Sequence, residues 1–215
     1  PRVVQLRRMI GVAAFAYVAV HLVLYAADEK YDLVKVAVEI AIRIYLTIGF
    51  VALLILAALA ATSTDAMTRR LGGRKWRNLH RLVYLAALLS VIHFFMQTKA
   101  NVNEPWVMAG LFAWLMLWRA LPTHLRTGYL GLVLLAIGAT LITVAFEAAW
   151  YGLVNGIDPV RILAANIDPE LVPRPAQKVL IASLAVIAVV ATRRLAAAAN
   201  RLWTKRYIQS TISPS

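Results

Sequence analysis

The chain has 215 residues, 61% of them hydrophobic, and a mean hydropathy of +0.71, a balance that excludes a soluble globular domain and describes a membrane protein. The formal net charge of +13 lies in short basic stretches between apolar runs, which points to membrane topology and anionic lipid headgroups, with no nucleic-acid module beside it. The absence of cysteine excludes disulfides, thiolate-held iron–sulfur clusters and c-type haem attachment.

Pro1 stands where a methionine would, with no signal-peptide pattern after it, so the natural N-terminus is expected upstream. A first span is predicted over Met9 to Ala27, preceded by Arg2, Arg7 and Arg8. The mixed-charge segment Asp28 to Arg43, with apolar Leu33, Val36, Val38 and Ile40, reads as an interfacial helix. A second span, Ile44 to Ala61, leads into a basic loop, Asp65 to Lys75, broken by Gly72-Gly73. The third span runs from Trp76 to Thr98. After a polar loop with Asn101, Asn103 and Glu104, Pro105 is placed to open a helix, and the fourth span follows over Trp106 to Ala120.

A small basic loop with Arg119, His124 and Arg126 precedes the fifth span, Tyr129 to Trp150. The loop Tyr151 to Lys178 holds Ile-Asp-Pro twice (157–159 and 167–169), and its apolar residues suit a membrane surface. The sixth span, Val179 to Ala198, runs into a basic tail with Arg193, Arg194, Arg201, Lys205 and Arg206. Counting Lys and Arg on alternate sides places both termini in the cytoplasm. The expected architecture is an all-α membrane protein, a six-transmembrane-helix bundle in a bacterial inner membrane.

Imidazoles in lipid are costly without a partner. His21 lies about 9 Å inside the outer end of the first span and His93 about 8 Å inside that of the third, at roughly 1.5 Å per residue. These two spans run parallel, so two imidazoles at one depth are placed to ligate one iron from opposite faces, as a b-type haem requires. His80 lies near the cytoplasmic edge, and His124 in a basic loop reads as solvated surface. On an ideal helix His80 and His93 would be roughly 140° apart, so spacing alone does not establish two stacked haems. The competing reading of any single histidine is a hydrogen bond across a helix interface. Glu147, near the outer end of the fifth span, has Arg161 and Lys178 as candidate partners.

Three segments carry a family resemblance: RRMIGVAAFAYVAVHLVLYA (7–26), YLTIGFVALLILAALAATSTDAMTRRLGGRKWRNLHRLVYLA (45–86) and VIHFFMQTK (91–99). The Arg-Arg-x-x-Gly opening, the Thr-Ser-Thr block and Trp-x-x-Leu-His-Arg-Leu-x-Tyr followed by a second His are specific in combination. Together they resemble the MsrQ/YedZ family, the haem-binding membrane subunit of the bacterial protein-methionine-sulfoxide reductase system, within the ferric-reductase-like transmembrane group.

The resemblance implies a membrane cytochrome b relay with haem ligands at His21, His80 and His93, and one haem or two. Electrons would come from the quinone pool or a cytoplasmic flavin donor. They would go to a periplasmic molybdopterin subunit that reduces methionine sulfoxide in oxidised proteins. FMN is implied by the family alone, since no flavin motif is present. Arg8 and Arg81, nearest the apolar spans, are candidates for pairing with haem propionates or a flavin phosphate, although positive-inside topology accounts for inner-face arginines without a ligand.

Residues 1–120 are expected to form the haem-binding core of four helices. Residues 121–215 would add two helices, a periplasmic amphipathic loop and a basic cytoplasmic tail. Family members usually carry a further hydrophobic segment before the Arg-Arg stretch. The rival readings are a transmembrane ferric or quinone reductase of cytochrome b type, and a non-redox small transporter or assembly factor whose histidines only pack.

Overall fold

The computed structural model describes residues 2–98, 102–126, 128–168 and 173–212, with the side chains of 2–4, 202 and 204–212 left aside. The expectations on Arg2, Lys99, Asn101, Pro169, Lys205 and Arg206 therefore fall outside the described backbone or side chains. Every regular element among the described residues is an α-helix. The chain divides into two compact units at Pro105 and Trp106.

In the first unit, α1 (Arg2–Asp28) ends in a turn where Lys30 and Tyr31 both take positive φ, 54° and 59°. Left-handed backbone is unfavourable for residues with a Cβ. Here main-chain bonds from Lys30 and Tyr31 back to Ala27 and Ala26 hold it, satisfying carbonyls that the helix end leaves open. Asp32 then caps α2 (Leu33–Ile42) by accepting from the Lys35 amide. The interfacial segment is thus helical as expected, with Val36 buried and most of its length exposed. Arg43, extended at φ −99°, is the corner into α3 (Ile44–Ala61), whose limits are those of the predicted second span.

The helix α3 organises this unit: α1, α2 and α6 (Leu82–Gln97) all pack against it. Small residues allow the close approach, with Ala52 on α3 and Ala86 on α6 both buried. The stretch expected as a basic loop is instead mostly helical. Thr64 caps α4 (Asp65–Leu71), Gly72 turns at φ 75°, and α5 (Gly73–His80) begins at once. Only glycine adopts that φ freely, so the Gly-Gly pair separates two short helices. The third span is interrupted at Arg81, between α5 and α6, by a single residue that keeps helical φ and ψ of −69° and −21°. The Arg81 amide bonds back to Asn78 three residues away, a tighter turn than the helix uses.

The helix α7 (Asn103–Ala120) carries the boundary between the units, and Pro105 sits in its first turn, where the missing N–H costs nothing. In the second unit α9 (Tyr129–Asn155) is the central helix, flanked by α8 (Thr123–Arg126), α10 (Pro159–Ile167) and α11 (Pro175–Ile212). Leu135, Ala139, Thr143 and Val179 are among its buried residues. The first Ile-Asp-Pro does what its residues favour: Asp158 accepts from the Val160 amide and Pro159 opens α10. The predicted sixth span and the basic tail form one continuous helix, α11.

Among the described residues, five helical segments are long and apolar enough to cross a membrane: Gln5–Asp28, Ile44–Ala61, Gly73–Gln97, Tyr129–Asn155 and Pro175–Arg201. The predicted fourth span, in α7, is not among them. Glu104, Arg119 and three tryptophans lower its hydropathy over 18 residues.

Candidate functional site

His93 lies on α6 facing α3. Its Nδ1 is 2.8 Å from the main-chain oxygen of Tyr45 in the first turn of α3. A carbonyl can only accept, so Nδ1 carries the proton and donates, and the lone pair resides on Nε2. Nε2 has no hydrogen-bond partner among the described residues. A neutral imidazole whose Nδ1–H is held by a carbonyl is the form in which histidine ligates iron. The ring fits only because position 49 is glycine: a Cβ there would stand 2.8 Å from Nδ1 and 2.9 Å from Cε1.

Behind Tyr45 runs a chain of polar contacts. Arg43 donates through Nη1 to the Tyr45 hydroxyl at 3.1 Å and through Nη2 to Glu39 at 3.2 Å. The Tyr45 hydroxyl bond first, and then the Glu39 charge, raise the Arg43 pKa further above its already high value. The other Glu39 oxygen accepts from the Tyr25 hydroxyl at 2.5 Å. Tyr25 is four residues after His21 on α1, hence on the same helix face.

His21 itself is exposed and makes no hydrogen bond among the described residues. It shares with His93 a common neighbour, since α1 and α6 both pack on α3. No group of three or more His, Asp or Glu side chains with metal-binding geometry exists among the described residues. A porphyrin supplies four equatorial nitrogens, so a haem asks the chain for axial ligands alone.

His80 is differently placed. Its ring stacks on Trp76 with centroids 3.8 Å apart, and its Nδ1 donates to the Trp76 carbonyl at 3.1 Å. Nε2 is therefore also an acceptor, but it faces the Ser63 hydroxyl at 3.3 Å. Ser63 has one proton and a second acceptor, the Leu59 carbonyl at 2.7 Å, so the serine divides between the two. The Trp76 indole is fixed in turn by donating to the Thr62 carbonyl at 2.9 Å.

Of the two candidate arginines, Arg8 is committed: it pairs with Asp65 at 2.7 Å and ties α1 to α4. That hydrogen bond, and the Arg8 charge with it, hold the Asp65 carboxyl below its ordinary value. Arg81 is exposed at the α5–α6 break, with no ion-pair partner among the described residues. His124 is exposed on α8.

The second unit contains a polar cluster that sequence reasoning did not assemble. Glu147 is fully buried and pairs with Arg174 at 2.6 Å, not with Arg161 or Lys178. Its other oxygen accepts from Asn166 at 3.0 Å, and Gln177 bonds both the Asn166 carbonyl and the Arg174 amide. The cluster pins α10 and the start of α11 to α9. In the sequence, only the place of a carboxylate inside an apolar span hinted that Glu147 needed a strong partner.

The fold and these sites define a multi-pass α-helical membrane protein with histidines in its apolar helices. Residues 1–91 match the family described as ferric reductase like transmembrane component. The resemblance to the MsrQ/YedZ family is borne out. The chain is 46% identical over 121 residues to the protein-methionine-sulfoxide reductase heme-binding subunit MsrQ of Rhodospirillum rubrum, covering 56% of this chain and 58% of that protein. The subunits of the same name from Caulobacter vibrioides and Polaromonas naphthalenivorans are each 41% identical, over 55% of this chain and 57% and 56% of theirs. The match thus spans little more than half the length of these relatives. No solved structure matches.

Proposed function

We propose that this chain is the haem-binding part of a membrane electron carrier, with His21 and His93 as the axial ligands of a b-type haem. The observation that carries the reading is the His93 imidazole, proton fixed on Nδ1 by the Tyr45 carbonyl and Nε2 left unpartnered. Haem bound there supplies one-electron chemistry. His21, on α1, which also packs against α3, would be the second ligand. The Gly49 gap seats the His93 ring, and Arg81, exposed beside His80 and without an ion-pair partner among the described residues, would be available to a propionate of a haem at His80 or to a flavin phosphate. Arg8 is less so, being engaged by Asp65. His80 is the candidate ligand of a second haem, in competition with Ser63.

As the family resemblance implies, electrons would pass from the quinone pool or a cytoplasmic flavin donor to a periplasmic molybdopterin methionine-sulfoxide reductase. FMN rests on that resemblance alone. In this reading α7 makes a sixth crossing, about 27 Å long at roughly 1.5 Å per residue. Both termini are then cytoplasmic in a bacterial inner membrane, and residues 1–120 hold the haem core. A second reading, a transmembrane ferric reductase of cytochrome b type, is favoured by the family match over residues 1–91.

The test is the absorbance spectrum of the purified protein reconstituted with haem. A Soret band that shifts on dithionite reduction supports the carrier; its absence from the loaded preparation refutes both redox readings. Transfer to ferric chelates but not to a methionine-sulfoxide reductase subunit selects the second.

A further inference from the structure

We infer that Glu39 is a positioning residue for the His93 imidazole, acting through the α2–α3 corner, and that it also indexes the helix that carries His21. The inference rests on the haem reading for its purpose but on hydrogen bonds alone for its geometry. Glu39 is only 13% exposed, and its two oxygens face different helices. One accepts from Tyr25 on α1; the other accepts from Arg43, the residue that ends α2 and opens α3.

The Arg43 guanidinium continues to the Tyr45 hydroxyl, and the Tyr45 carbonyl receives the His93 Nδ1 proton. Thr47 closes the same corner from inside by directing its hydroxyl to the Ile40 and Arg43 carbonyls at 2.6 and 3.3 Å. A single carboxylate therefore joins the α1 face of His21 to the backbone that sets the tautomer and tilt of His93. The amphipathic segment between the first two spans is then more than a connector lying on the membrane. It is the outer support of the ligand pair. Removing such supports behind a ligating histidine typically lowers metal affinity by about 10- to 100-fold.

The experiment uses the full chain in detergent, with 15N-labelled histidine, comparing wild type with Glu39→Ala, Glu39→Gln, Tyr25→Phe and the control Glu29→Ala. Glu29 pairs with Lys35 at 2.5 Å, outside the chain of hydrogen bonds from Tyr25 to His93. Without haem, His93 is expected to show one Nδ1–H tautomer in wild type and in Glu29→Ala. A mixture is expected in Glu39→Ala.

On haem titration, Glu39→Ala is expected to bind about tenfold or more weakly and to broaden the low-spin electron paramagnetic resonance signal. Glu39→Gln, which keeps one acceptor oxygen, should recover part of the loss. Tyr25→Phe, which deletes a single hydroxyl, should move the same way and serves where Glu39→Ala fails to fold. Wild-type tautomer and affinity within twofold in both Glu39→Ala and Tyr25→Phe overturn the inference. So does an equal loss in Glu29→Ala, which would mark general loosening of the corner. A wild type that binds no haem overturns the haem reading instead, and the tautomer measurement still decides whether Glu39 positions His93.

Discussion

The Nδ1 atom of His93 and the main-chain oxygen of Tyr45, 48 residues apart in sequence, lie 2.8 Å apart. That one contact fixes the proton on the ring and leaves Nε2 as the basic nitrogen. Since main-chain carbonyls cannot be removed by substitution, the contact is best probed through the space around it.

Gly49→Ala is expected to displace the His93 ring, because the new Cβ would meet Nδ1 and Cε1 closer than any unstrained contact. The cost should be about 1–3 kcal/mol of stability, with loss of haem retention measured by the Soret absorbance per protein. Gly11→Ala, where a Cβ meets nothing within 4 Å, should instead be neutral or stabilising by up to about 1 kcal/mol. Equal haem retention in the two variants would contradict the packing argument.

His21→Ala and His93→Ala are each expected to abolish the low-spin haem spectrum, and His124→Ala to leave it unchanged. His80→Ala should leave the His21–His93 centre intact and lower the haem-to-protein ratio only if two haems are bound. Absorbance spectra of the four variants check the low-spin predictions, and pyridine haemochrome stoichiometry checks the haem-to-protein ratio.

Glu147→Ala leaves Arg174, its side chain only 21% exposed, without its counter-charge. A loss of roughly 3 kcal/mol or more is expected, read as a lower unfolding midpoint in detergent. Restoring stability by adding Arg174→Met to Glu147→Ala would show that the unpaired charge, not the lost volume, is responsible.

The Arg8–Asp65 pair predicts a pH dependence. Asp65 has an ordinary value of 3.8, and its folded pKa is lower because Arg8 donates to it. Its contribution is therefore present above that ordinary value and is lost as pH falls through the lower folded one. Thermal melts between pH 3 and 6 should show this slope in wild type and a shallower one in Asp65→Asn. The difference should fade in about 1 M salt, since the pair is solvent-exposed.

Much was decided by residue order alone. Long apolar runs with basic residues between them dictate a multi-pass helical membrane protein, and Ile44–Ala61 was delimited to the residue, because a bilayer selects helices by local length and hydropathy. The short helices of 65–80, the break at Arg81 and the low hydropathy of α7 were less legible, because turn geometry and tryptophan content blur that same local signal. Only tertiary structure joined Tyr45 to His93, Ser63 to His80, Glu39 to Tyr25, and Glu147 to Arg174. Each of these bonds links segments separated by a turn or by a whole helix. A polar group buried in apolar surroundings must find a partner, but the sequence states the need without naming the partner. Which backbone or side chain comes within 3 Å is settled by how the helices pack, and so is the nitrogen of a histidine left to bind a metal.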